Sequence, residues 1–392
     1  MRENTASESP ASVPLPGGWA ARIFTKWDFP PRVTGQWESI LAAYGDLGVF
    51  IGPAWFGAWW SAFGAGKELF VVVLEREGRV LAVFPCCIPS GPGGETVSSL
   101  TNDHTCHYDF IIEPEVRHEA LSVFLGFLKK AKPGAGIFLE YFPVSGSNGE
   151  PFFAGLQRAG IPSHRYGQPW APRLEISGEW EEFRKTLPGR LKNAVRRNRR
   201  KAEGGGKLFF EVIRKSEQLD MLLDTFFEIE YNNWKGRKGT AVRCSADTEK
   251  FYRDLARRTM RSGHLLVFLL KQGDTPLAAS FCLYSGNTVF QLKSGYHEAY
   301  GHFTPGNLLQ YESINYLFSL PEVRCFHFLG ACEPWKMEWT AQTGEYGWIR
   351  AFPKSLKGWG QYTLRYGWKR AVKRFRSVLT HDGRGEEGRN VA

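Results

Sequence analysis

The chain has 392 residues, of which 43% are hydrophobic and 23% charged, and it carries a formal net charge of +10. This length exceeds what one hydrophobic core usually organises, so it predicts two globular domains. No stretch approaches the roughly 18 uninterrupted apolar residues of a membrane span. The seven cysteines, an odd number with no CxxC pair, are scattered along the chain, several of them in strand-like apolar runs, which predicts reduced and mostly buried thiols.

The N-terminal residues 1–20 are polar and contain no apolar signal-peptide core. We therefore predict a disordered leader and a cytoplasmic protein. Further along, His104, Cys106, His107 and Asp109 form a compact group that lacks a second ligand pair at a conventional spacing. The sequence therefore predicts no metal site.

One order of elements occurs twice along the chain. Each copy consists of a hairpin, a strand, a helix and a strand. They cover 69–85, 107–112, 115–130 and 137–142 in the first half, and 265–284, 289–296, 305–318 and 325–330 in the second. The repeat predicts two copies of one unit of strands and helices.

Between the copies, residues 184–201 contain nine Lys and Arg residues and no acid. Apolar residues recur every four positions from Phe183 to Val195, which indicates a helix, and Pro188 predicts a break near Leu187. A solvated basic face is one interpretation. The absence of any acid favours contact with phosphate or nucleic acid, through Arg190, Arg196, Arg197 and Arg200.

The second-half helix has a clear predicted start, with Thr304 as N-cap and Pro305 in the first turn. Its N–H groups would attract an anionic group such as a pyrophosphate, although an ordinary capped helix is the alternative.

The C-terminal residues 351–392 are predicted to form a basic helix and tail. Residues 351–380 contain eight Lys and Arg residues and no acid. Leu364, Trp368, Ala371 and Phe375 share one face, so residues 355–380 are predicted to contact an anionic membrane surface, to contact RNA or to pack on the protein.

Four stretches resemble a known family. The sequences IEYNNWKGRKGTA (229–241), LKSGYHEAYGHFTPGNLLQYESI (292–314) and FHFLGACEPWKMEW (326–339) are similar to GNAT-superfamily proteins with a BioF2-like acetyltransferase domain. These are the CelD/BcsL-type proteins of cellulose and exopolysaccharide production. IGPAWFGAWWSAFG (51–64) resembles their opening motif. The resemblance extends more distantly to the FemAB peptidyltransferases, which have tandem GNAT folds and use aminoacyl-tRNA.

The resemblance implies an α+β fold of tandem GNAT-like domains, 21–175 and 176–350, each with a mixed central sheet flanked by helices. It implies an acyltransferase that moves an acyl group from acyl-CoA or an acyl carrier protein to a small-molecule or glycan acceptor with an amine or hydroxyl. In GNAT enzymes the donor's pantetheine arm pairs with an exposed strand edge, and its pyrophosphate sits at the next helix. That maps the donor onto Lys293, Ser294, Gly295, Tyr296, Thr304, Pro305, Gly306 and Asn307.

The resemblance suggests a role for Lys336, and residue type and position suggest roles for several others. Lys336 matches a lysine of FemAB-like transferases and would stabilise an oxyanion or bind a donor phosphate. Glu230 would act as a general base through water. The acceptor contacts would be Trp234, Lys235, Asp109 and Trp335.

Alternatives to this function stay open. The usual GNAT signature Q/R-x-x-G-x-G/A is replaced by HFTPGN, so aminoacyl-tRNA remains a candidate donor beside acyl-CoA and acyl carrier protein. Lys336 as a surface lysine and Glu230 as a helix-end residue are the structural alternatives. A third hypothesis is a noncatalytic adaptor that binds nucleic acid or a membrane surface.

Overall fold

Two mixed β-sheets flanked by helices form the fold in the computed structural model, which describes residues 10–91 and 95–367. The strands are β1 (Val13–Pro14), β2 (Trp19–Phe24), β3 (Lys67–Arg76), β4 (Arg79–Pro89), β5 (Thr96–Ser99), β6 (Ile111–Ile112), β7 (Gly136–Phe142), β8 (Ser163–Trp170), β9 (Arg173–Glu175), β10 (Leu208–Ile213), β11 (Leu265–Gln272), β12 (Thr275–Ser285), β13 (Thr288–Tyr296), β14 (Cys325–His327) and β15 (Gly344–Ala351). The helices are α1 (Pro31–Leu41), α2 (Pro53–Phe63), α3 (Arg117–Ala131), α4 (Gly149–Arg158), α5 (Trp180–Thr186), α6 (Gly189–Glu203), α7 (Leu219–Tyr231), α8 (Trp234–Arg237), α9 (Ala246–Arg261), α10 (Pro305–Phe318), α11 (Pro334–Met337) and α12 (Leu356–Tyr362). The predicted α+β class is confirmed.

Each sheet is built around one of the predicted hairpins. The first sheet has the order β1-β2-β3-β4-β5-β7-β15-β8, with β6 on β4, and the second has the order β10-β11-β12-β13-β14-β9. The first hairpin turns at Glu77 and Gly78, whose φ angles of 51° and 76° are those of a two-residue type I′ turn. In both sheets a parallel pair, β5 with β7 and β13 with β14, follows the hairpin.

The two halves of the chain exchange strands. β15, which follows the second unit, lies between β7 and β8 of the first sheet, while β9 pairs with β14 of the second. One apolar core also continues from the first sheet into α7 and α9. The proposed division at residues 175 and 350 stays a prediction, and the exchange ties the halves together near both positions.

Two predicted strands differ from the structure. In the stretch 107–112 only β6 is extended, and β5 takes the position beside β7. His107 to Phe110 are buried but do not pair as a strand. Their backbone groups bond in other ways: the Phe110 N–H donates to the Asp109 carboxylate at 2.8 Å, and the Tyr108 N–H donates to the Tyr141 carbonyl. The stretch 325–330 is a strand only to His327, after which Leu329 and Gly330 have positive φ.

The chain ends also differ in part from the predictions. Residues 13–20, predicted within the leader, contain β1 and the start of β2, paired through Val13 and Ala21 and anchored by buried Trp19. Residues 1–9 and the predicted face of Trp368, Ala371 and Phe375 lie outside the described residues. Within the described ranges no single helix has the length and apolar character to cross a membrane; the bent pair Pro31–Phe50 and Pro53–Phe63 meets both criteria only when its two parts are combined.

Candidate functional site

Strands β13 and β14 part after three residues of parallel pairing. The pairing covers Thr288 to Phe290 on β13, while β13 stays paired with β12 as far as Tyr296. Between Gln291 and Lys293 the register with β12 skips Leu292, which is a β-bulge that bends the strand. In the described part of the chain, the β14-facing edge of β13 from Gln291 onward therefore lacks a strand partner.

A cavity of about 570 Å³ lies along this gap, a volume typical of small-molecule sites. It brings together most of the predicted site residues. Those that line it are Trp234, Lys235, Lys293, Ser294, Gly295, Tyr296, Thr304, Gly306, Asn307, Trp335 and Lys336. Lys293 and Tyr296 lie three apart on the strand and both border the cavity, because it follows the strand edge.

The start of α10 closes one end of the cavity. Thr304 adopts a left-handed conformation (φ 46°, ψ 62°), and its side chain does not cap the helix as predicted. Instead its hydroxyl accepts a hydrogen bond from the Asn198 amide of α6 at 2.7 Å. Pro305 is buried and does not line the cavity. The first-turn residues Gly306 and Asn307 do line it, at a helix end whose N–H groups favour anions.

Lys336 is a buried ammonium group held by three acceptors. Lys336 is 7% exposed, and its Nζ donates to the carbonyls of Leu329 at 2.9 Å and Ala331 at 3.2 Å. The third partner is the carboxylate of Glu333, at 3.0 Å, whose side chain is about half exposed. Gly330 has a φ of 62°, and a Cβ there would lie 3.3 Å from Nζ. The carbonyls are fixed, so Glu333 is the partner that a ligand would replace.

Glu230 is fully buried and does not line the cavity, but it organises one wall. Its carboxylate accepts from the Lys235 Nζ at 2.9 Å and the Val242 N–H at 2.9 Å, and lies 3.8 Å from the Lys293 Nζ. Burial raises the pKa of Glu230, but Lys235 and Lys293 outweigh it, so that the pKa lies below the ordinary value. A carboxylate with a lowered pKa is a poor proton acceptor, so the geometry favours a positioning role over the predicted general base.

The predicted phosphate-binding arginines divide into two groups. Arg196, Arg197 and Arg200 are exposed on α6, line one shallow hollow, and form no ion pair with a described residue. Arg190 instead pairs with Glu338 at 2.7 Å, beside the cavity. The face of α6 that packs on α10 carries Asn198, which bonds to Thr304, whereas Arg196, Arg197 and Arg200 lie on its exposed face and do not line the cavity.

Asp109 lies away from the cavity, in the core of the first unit. Its carboxylate accepts from the Asn148 amide at 2.9 Å, and burial raises the pKa of Asp109 to about 7. The neighbouring His107 is buried between Phe50 and Tyr346. No group of three or more His, Cys, Asp or Glu side chains within 10–91 and 95–367 is arranged to hold a metal ion.

Sequence analysis missed two buried glutamines at the cavity floor. The Gln291 amide donates to Ser280 Oγ and to Gln310 Oε1, both at 2.8 Å, and the Gln310 Nε2 has no partner among the described residues. Both glutamines line the cavity, so this amide is an available donor for a ligand carbonyl. The signal was a polar residue inside the apolar strand VFQL and another on the buried face of α10.

Comparison with known proteins finds a family match in the half of the chain that contains the cavity. Residues 189–337 match the family model of the acetyltransferase (GNAT) domain. No curated protein matches the chain. Among solved structures, FemX is 13% identical over 81% of this chain and 96% of its own, with a TM-score of 0.56. A conserved protein of unknown function from Bacteroides thetaiotaomicron is 12% identical over 81% of this chain and 97% of its own, with a TM-score of 0.50.

These similarities confirm the GNAT-like fold class, and the match to the GNAT acetyltransferase domain is limited to residues 189–337. At such identities a solved structure indicates the fold alone. The narrower resemblance to BioF2-like, CelD/BcsL-type proteins stays a prediction.

Proposed function

We propose that the protein transfers an acyl group from a phosphate-bearing thioester, acyl-CoA or an acyl carrier protein, to an amine or hydroxyl acceptor. The observation that carries this proposal is the gap between β13 and β14, whose unpaired edge borders a cavity. An amide-containing arm pairs with such an edge as an added strand does. The resemblance to CelD/BcsL-type proteins supports a glycan acceptor in polysaccharide or envelope synthesis.

The charges around the cavity suit the two ends of such a donor. The start of α10, whose first-turn residues Gly306 and Asn307 line the cavity, provides positive potential for the phosphates. In this proposal acyl-CoA is consumed as the donor substrate. The Gln310 amide supplies one further donor for a carbonyl of the bound arm.

Lys336 is the group proposed to assist the chemistry. Attack of an amine or hydroxyl on the thioester places negative charge on the carbonyl oxygen, and a buried ammonium stabilises that charge. Collapse of this intermediate breaks the carbon–sulfur bond, and the departing thiolate takes up the proton that the acceptor loses. In this step the oxyanion replaces the Glu333 carboxylate as a partner of the Lys336 Nζ, while the carbonyls of Leu329 and Ala331 continue to orient that Nζ. The acceptor would enter beside the half-exposed rings of Trp234 and Trp335.

The test measures thiol release from acetyl-CoA with a panel of amines and amino sugars, and CoA binding by calorimetry. Lys336→Met should lower kcat by about 10²–10³-fold while CoA binding persists. Lys271→Met is the matched control, because Lys271 lies on β11 and pairs with Glu211 outside the cavity. Unchanged turnover in Lys336→Met would remove Lys336 from the chemistry, and the absence of CoA binding would refute acyl-CoA as the donor.

An aminoacyl-tRNA donor is the second candidate, favoured by the uncompensated cations of α6. It requires tRNA binding that weakens steeply with salt. Arg196→Glu and Arg200→Glu should then reduce tRNA affinity far more than CoA affinity. Salt-independent or absent tRNA binding would rule this donor out, and binding without any transfer would favour a noncatalytic adaptor.

A further inference from the structure

A second cavity, apart from the proposed transfer site, lies in the first unit. It has a volume of about 680 Å³ and is bounded by α3, α4, the start of β7 and residues 351–355. None of its lining residues lines the cavity beside Lys336. A function located here is therefore separate from acyl transfer.

The walls of this cavity are apolar and its charged residues have one sign. Leu121, Leu128, Ile137 and Phe352 are buried wall residues. The lining includes four cations, Lys129, Lys132, Arg158 and Lys354, and no Asp or Glu. An occupant that satisfies both features has an aliphatic part and a negative charge.

The four cations are not equally available. Lys132 lies near Glu68 and Glu95, and Lys354 donates to the Ala159 carbonyl at 2.7 Å. Lys129 and Arg158 are exposed and form no ion pair with a described residue. These two are free to pair with an anionic head group at the cavity rim.

The segment beside the cavity has the surface that a lipid-derived ligand would approach. Residues 351–355 continue into α12, where Leu356 is 94% exposed and Trp359 46% exposed, and Leu364 follows at 88%. Exposed apolar residues together with Lys357 and Arg365 match the composition of surfaces that rest on anionic lipids.

We propose that the cavity between α3 and α4 binds a long-chain anionic amphiphile, with the chain against Leu121, Leu128 and Phe352 and the head group at Lys129 and Arg158. A free fatty acid and an anionic membrane lipid share this chemistry. The occupancy does not depend on acyl transfer, because the two cavities share no residue.

Two substitutions in α3 test the cavity without disturbing its core. A Cβ built on Gly126 meets nothing within 4 Å, so Gly126→Leu fits and fills space, and it also favours the helix. Lys129→Glu reverses the charge at the rim. Lys130→Glu is the matched control, since Lys130 is the next residue of the same helix and does not line the cavity.

Calorimetric titration of the full chain with laurate is the primary experiment, and dodecyltrimethylammonium is the probe with opposite charge. Laurate should bind to the unaltered chain. Gly126→Leu and Lys129→Glu should each lower the affinity for laurate at least tenfold, whereas the affinity of Lys130→Glu should stay within twofold of that of the unaltered chain. Dodecyltrimethylammonium should bind at least tenfold more weakly. Equal binding of both probes, or laurate binding unchanged by both cavity substitutions, would overturn the proposal.

Vesicle sedimentation distinguishes the two sources of the ligand. Binding to vesicles of phosphatidylglycerol and phosphatidylcholine, lost in the same two variants and absent with phosphatidylcholine alone, assigns the site to a membrane lipid. Laurate binding without vesicle binding assigns it to a free fatty acid, and failure of both probes rejects the site. CoA affinity measured on each variant should be unchanged, so failure here leaves the transferase proposal untouched.

Discussion

Replacement of Glu230 by glutamine tests the buried charge cluster most directly. The substitution keeps the shape of the side chain but removes the negative charge between Lys235 and Lys293, whose side chains are only 19% and 17% exposed. The new amide has only one acceptor oxygen, so its NH₂ group must face one of two hydrogen-bond donors, the Lys235 Nζ or the Val242 N–H. Breaking a buried pair costs about 3–5 kcal/mol, and one retained acceptor oxygen favours the lower end, about 3 kcal/mol.

The free energy of unfolding, from urea denaturation followed by tryptophan fluorescence, measures this loss. Because the pKa of Glu230 is lowered in the folded protein, its contribution is complete above the ordinary value of 4.5 and is lost as the pH falls through the folded-state pKa. The difference between Glu230→Gln and the unaltered chain should therefore be constant from pH 7 to about 5 and shrink below it.

Glu228→Gln is the control on the same helix. Glu228 is 54% exposed and pairs with Arg243, so its loss should cost less than about 1 kcal/mol. If Glu230→Gln costs no more than Glu228→Gln at pH 7, or if its cost does not change with acid, the interpretation of Glu230 as an ionised positioning residue is wrong.

Three further predictions concern other parts of the structure. Burial lowers the pKa of His107 to about 3, so between pH 6.5 and 5 only the unfolded chain binds a proton at this residue. The free energy of unfolding should therefore fall by about 2 kcal/mol over this range. His107→Leu should flatten that part of the stability profile, and an unchanged slope would contradict the prediction. Gly295→Ala would place a Cβ 3.0 Å from the Glu230 Cα, which should cost about 1–3 kcal/mol in urea denaturation, and a neutral result would show that α7 moves freely. Asn198→Ala removes the bond to Thr304 and, under the proposed function, should raise the donor KM about fivefold at unchanged kcat; a fall in kcat alone would contradict the positioning role.

Local signals were sufficient for several elements. The helix Pro305–Phe318 begins at the predicted proline, and the basic segment breaks at Leu187 and Pro188 as predicted. Both features depend on backbone restrictions of proline within a few residues. The hairpins were recognised for the same kind of reason, since their turns contain glycine between apolar strands.

Other features depend on residues far apart in the sequence. The stretch 107–110 has strand-like composition, yet β5 occupies the position beside β7, because strand partners are selected by packing and not by propensity. Glu230 and Lys293 are 63 positions apart, and their pairing exists only where α7 crosses β13. The available amide of Gln310 likewise depends on Gln291 of another element.

The sequence by itself determined the start of α10, the break before α6, the two hairpins and the residues of the second half that carry the family resemblance, because each of these is encoded by residues that are neighbours in the chain. Only the tertiary structure decided that strands are exchanged between the sheets, that Glu230 is buried beside Lys235 and Lys293, and that Asp109 lies outside the cavity. Such features follow from long-range packing and from the desolvation of charge, which depend on which elements meet in space.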